Sequence, residues 1–80
     1  MNRPLELERV QTGVRLEKRL VKVLKALAQL YDLSLGDLLE VLVHSTFAGH
    51  QPFTGAALAQ IAELARIYGL EPDPRAEEKL

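Results

Sequence analysis

Cysteine and tryptophan are absent from these 80 residues, and aromatic side chains make up only 5%. Without cysteine there can be no disulfide and no thiolate metal ligand, and the composition suits a reducing compartment, so a cytoplasmic location is expected. The few aromatics do not interleave with basic residues, which argues against a single-strand nucleic-acid platform that stacks bases on aromatic faces. No apolar run approaches the roughly 18 residues a membrane span needs, and MNRPLELERV at the N-terminus lacks the apolar core of a signal peptide. A nucleophile paired with a base and a glycine-rich phosphate loop are both missing, so no enzymatic activity and no cofactor are expected. His44 and His50 have neither cysteine nor an obvious carboxylate beside them, so no metal site is expected, and His44 reads as a partner for Glu40 one turn away.

What is present is a single domain's worth of chain with 48% hydrophobic residues, enough to fold. The net charge of -1 conceals an asymmetry. Residues 1–25 hold Arg3, Arg9, Arg15, Lys18, Arg19, Lys22 and Lys25 against Glu6, Glu8 and Glu17, a balance of +4. Residues 26–80 hold three basic and eight acidic side chains, a balance of -5. The basic N-terminal third is therefore the place to look for a polyanion-facing surface, although Lys18, Lys22 and Lys25 read first as the solvated face of a helix.

From Arg9 to Leu16 polar and apolar residues alternate, with Arg9, Gln11, Gly13 and Arg15 on one side and Val10, Thr12, Val14 and Leu16 on the other. That period predicts a half-buried strand. After Leu16 the period lengthens: Leu20, Val23, Leu24, Leu27, Leu30 and Tyr31 recur every three or four residues, which predicts an amphipathic helix from Glu17 to Tyr31. Ser34, followed three residues on by Asp37, starts a second helix, Leu35 to Phe47, that is apolar on most sides. Thr54 starts a third, which Gly69 ends as a C-cap. Pro72 and Pro74 mark a tail with little reason to order.

A lone strand leaves its N–H and C=O groups unpaired, so the expected solution is an antiparallel pair with the same strand of a second copy, which also brings helices to cover the over-apolar second helix. Val10, Thr12, Val14, Leu16, Leu38 and Leu42 are the expected dimer core. This strand-helix-helix pattern, ending its strand in Val14-Arg15-Leu16 and opening its second helix with Ser34, resembles the ribbon-helix-helix family to which Arc and MetJ belong. The expected fold class is thus mainly α, an intertwined homodimer in which one short strand per chain forms an intermolecular ribbon, with an additional C-terminal helix. The expected organisation is an N-terminal arm (1–8), a ribbon-helix-helix core (9–48), an added helix (49–70) and a flexible tail (71–80).

The resemblance implies sequence-specific binding of duplex DNA at a pseudo-palindromic site, with the ribbon in the major groove, as in a repressor or an antitoxin-type autoregulator. It implies base reading by Gln11, Gly13 and Arg15. Arginine suits guanine and glutamine suits adenine, each through two hydrogen bonds, while Gly13 carries no side chain but permits close approach. Backbone phosphates would meet Arg9 and the start of the second helix at Ser34, Leu35 and Gly36. The alternative is a dimerisation or adaptor module that binds a protein partner, with residues 54–68 joining dimers into a higher oligomer.

Overall fold

Helix α1, Lys18–Leu30, lies between α2, Leu35–Phe47, and α3, Gly55–Tyr68, and a short 3-10 turn, Pro74–Glu77, follows. The computed structural model describes residues 8–78. Residues 1–7 of the expected arm and 79–80 of the expected tail lie outside the described residues. Both α2 and α3 pack on α1, and α3 makes the more extensive contact.

Each helix starts where a side chain can satisfy the orphan amides of its first turn. Glu17 caps α1, its carboxylate accepting from the amides of Arg19 and Leu20, the second at 2.9 Å. Ser34 Oγ accepts from the Asp37 amide at 3.0 Å, and Thr54 Oγ1 from the Ala57 amide at 3.2 Å. Gly69 closes α3 with φ 71°, and the Leu70 amide donates back to the Ala65 carbonyl at 2.8 Å, so the left-handed residue falls where only glycine is free of Cβ strain. In the 3-10 turn Asp73 accepts from the Arg75 guanidinium and from its amide at 2.9 Å, which holds the Asp73 carboxyl down at about 2. The tail therefore contains a short ordered turn where none was expected.

The core is small. Among the described residues the fully buried apolar side chains are Val23, Leu27, Ala28, Leu38 and Ala57. Leu27, Ala28 and Leu38 form the central cluster, with Leu24, Leu42, Phe53, Ile61 and Leu64 packed around it. Leu20, Leu30 and Tyr31, expected on the buried stripe of α1, lie at its ends and stay exposed, although α3 reaches both ends through the Arg19 guanidinium on the Gly69 carbonyl at 3.2 Å and the Tyr31 hydroxyl on Gln60 at 2.6 Å.

The ribbon-helix-helix expectation is overturned on its first element. Among the described residues there is no strand and no sheet, and Arg9 to Leu16 run as an irregular arm. The fold is three helices, not a ribbon-helix-helix intertwined dimer. The physical reason is that alternation sets which side chains share a side, while a strand also needs a ladder of partner N–H and C=O groups. The chain offers the arm no such ladder: every residue from Arg9 to Leu16 is exposed, Val10 at 81% and Val14 at 70%.

Between α1 and α2 the turn depends on Asp32, which holds φ 55° while the Leu33 amide donates to the Ala28 carbonyl at 2.9 Å. A side chain in the left-handed region costs energy, and a carboxylate beside a helix C-terminus faces the negative end of its dipole. Asp32→Gly is expected to stabilise the chain by about 0.5–1 kcal/mol, raising the thermal unfolding midpoint by a few degrees. Circular dichroism melts of the two proteins at equal concentration check this.

Candidate nucleic-acid interface

The arm crosses from the start of α1 to the start of α2 and leaves between itself and the two helices an open groove of about 1020 Å³. Gln11, Gly13 and Arg15, the expected base readers, all line it. So do Arg9, Leu35 and Gly36 of the expected phosphate set. Ser34 does not; its hydroxyl is engaged in capping Asp37, which leaves the Leu35 and Gly36 amides outside the helical ladder at the groove wall. The apolar alternates of the arm, Val10, Thr12, Val14 and Leu16, border the same groove, so the two sides that alternation predicts are not separated into a buried and a reading face. Leu38 and Leu42, expected in a dimer core, belong instead to the chain's own core cluster.

Among the described residues, one side-chain ion pair anchors the arm. Arg9 donates to both carboxylate oxygens of Glu40, Nε at 3.1 Å and Nη2 at 3.0 Å. The paired guanidinium lowers the Glu40 carboxyl below the ordinary glutamate range, and Glu40 in turn raises Arg9. Both side chains are well exposed, 60% and 46%, so the pair orients the arm more than it stabilises the fold. Glu40 takes its hydrogen bonds from Arg9 and not from His44, whose charge acts on it as a smaller influence, and the contact commits Arg9 to a carboxylate.

Lys25 of α1 also lines the groove, as Arg15 of the arm does. Sequence periodicity places Lys25 on the polar stripe of α1 with Lys18 and Lys22, and nothing in that stripe marks which lysine the arm will face. Glu40 as an anchor is equally silent, since it lies 31 residues from its partner. The groove thus collects Arg15, Lys25, Gln11 and two free helix amides, a combination that can meet a polyanion through charge and N–H donors. Asp37 and Glu40 on the neighbouring turns of α2 are the opposing charges.

Comparison with protein-family models, with curated proteins and with solved structures gives no match. The resemblance to ribbon-helix-helix proteins therefore rests on the sequence pattern alone.

The depressed Glu40 carboxyl fixes the sign of a pH effect. The arm's anchor is intact above the ordinary glutamate range and is lost as pH falls through the lower folded value. Acidification is expected to loosen residues 9–13 with the helices still formed, and Glu40→Gln should produce the same loosening at neutral pH. Backbone ¹⁵N relaxation of the arm reads both.

Proposed function

We propose that the chain binds double-stranded DNA as a homodimer, presenting the arm groove to the duplex. The observation that carries this reading is the convergence on one groove of Gln11, Arg15 and Lys25 with the free Leu35 and Gly36 amides. Gln11 and Arg15 have the donor patterns that discriminate adenine and guanine in the major groove, whereas Lys25 and the helix amides suit phosphate. The basic balance of residues 1–25 supports the same face as the one that meets a polyanion. Regulation of transcription, as a repressor or an antitoxin-type autoregulator, is the role such binding would serve in this reading.

A second reading, a protein-binding adaptor, draws on a different feature. An apolar hollow of about 340 Å³ opens between the end of α1, α2 and the start of α3, lined by Tyr31, Leu33, Val41 and Phe53 among others and by no charged residue. That hollow suits an apolar side chain of a protein partner better than any part of a nucleic acid.

Mobility-shift titration of a mixed-sequence duplex pool separates the two readings. Affinity should fall steeply with salt as phosphate contacts release counterions, and Lys25→Ala should reduce the logarithmic salt slope by about 1. Arg15→Ala should weaken selected sites by about 1–3 kcal/mol for a lost two-bond base contact. Duplex binding indifferent to Gln11→Ala and Arg15→Ala together would sink the groove as a DNA interface.

A further inference from the structure

Three cations line the arm groove: Arg9, Arg15 and Lys25. Among the described residues, Arg9 is the one of the three that takes part in a salt bridge, and its partner Glu40 belongs to α2. The contact reaches across 31 residues and is two-pronged, with Nε on one carboxylate oxygen and Nη2 on the other. An arginine fork takes a carboxylate and a phosphate in the same two-bond way, so Glu40 fills the geometry that a pair of phosphate oxygens would fill. Glu40 also stands one helical turn along α2 from Gly36, whose amide is free at the groove wall with that of Leu35. A polyanion lying along that wall meets the two amides and the Arg9 guanidinium in succession.

We propose that Glu40 is an autoinhibitory carboxylate: in the free chain it stands on Arg9 in the place of a phosphate, and so withholds one of the groove's three cations from duplex DNA. The proposal rests on the duplex-binding reading and concerns the regulation of that same groove. Both partners are exposed, so a phosphate reaches the guanidinium without disturbing the buried cluster of Leu27, Ala28 and Leu38. An ion pair this well solvated is weak and screened by salt, which lets a stronger anion displace it. Duplex DNA, with one charge per about 1.7 Å of its axis, is such a competitor. Asp37 adds a weaker attraction for Arg9 but makes no hydrogen bond with it, so the block is located in Glu40.

The test is a salt titration of duplex binding by the full chain, with the mixed-sequence pool as probe. Glu40→Gln keeps the shape of the side chain and removes its charge, and it should tighten binding about five- to tenfold near 0.1 M salt while steepening the logarithmic salt slope by about 1, the effect of one added phosphate contact. Glu40→Ala, a strong helix former at the same place, should behave alike, and circular dichroism should show both variants as helical as the wild type. Removing a negative charge also lessens general repulsion of DNA, so the gain has to depend on Arg9. Adding Arg9→Ala to Glu40→Gln should abolish both the tighter binding and the extra slope, and Asp37→Asn, a charge removed one turn away, should leave the slope unchanged. Weaker binding by Glu40→Gln would mean that the pair serves DNA by placing the arm, and would overturn the proposal. A gain that persists without Arg9, or one that Asp37→Asn reproduces in full, would overturn it as well. In each of those outcomes the wild-type chain still binds duplex and the DNA reading stands, whereas duplex held by neither the wild type nor Glu40→Gln removes that reading and this proposal with it.

Discussion

Leu27 packed against Ala28 and Leu38 is the contact on which the other two helices close. It sits in the middle of α1, at the point where α2 approaches from one side and α3 from the other. Burying such a leucine contributes about 1.5–3 kcal/mol, and the described residues contain few others buried as completely. Ordering each residue's backbone costs about 1–2 kcal/mol, so a core of this size leaves a narrow margin for the isolated chain. The remaining apolar side chains, from Val10 on the arm to Phe47 at the end of α2, cannot reach this cluster because three short helices have too few sides to enclose them. Small size with an ordinary apolar content therefore places hydrophobic surface outside.

The helices were readable from the sequence because their determinants are local. The lengthened period after Leu16, the hydroxyls of Ser34 and Thr54 and the left-handed Gly69 mark ends within a residue or so of those observed. Glu17 shows that a glutamate can act as the cap where no serine, threonine, asparagine or aspartate stands. The strand expected over Arg9–Leu16 is not formed, because alternation is only half of what a strand requires and the other half, a ladder partner, is absent among the described residues. Of the candidate site, Gln11, Arg15, Leu35 and Gly36 were legible and do share a groove. Glu40 and Lys25 were not, since the irregular arm is oriented by a long-range ion pair that leaves no period behind.

That ion pair joins the arm to α2. Arg9 belongs to the arm that walls the groove, and Glu40 belongs to the side of α2 that carries Val43 and Phe47. In water the pair is weak because both groups are well solvated and salt screens them. Its part is to orient the arm along the groove that Gln11 and Arg15 line, and not to hold the helices together.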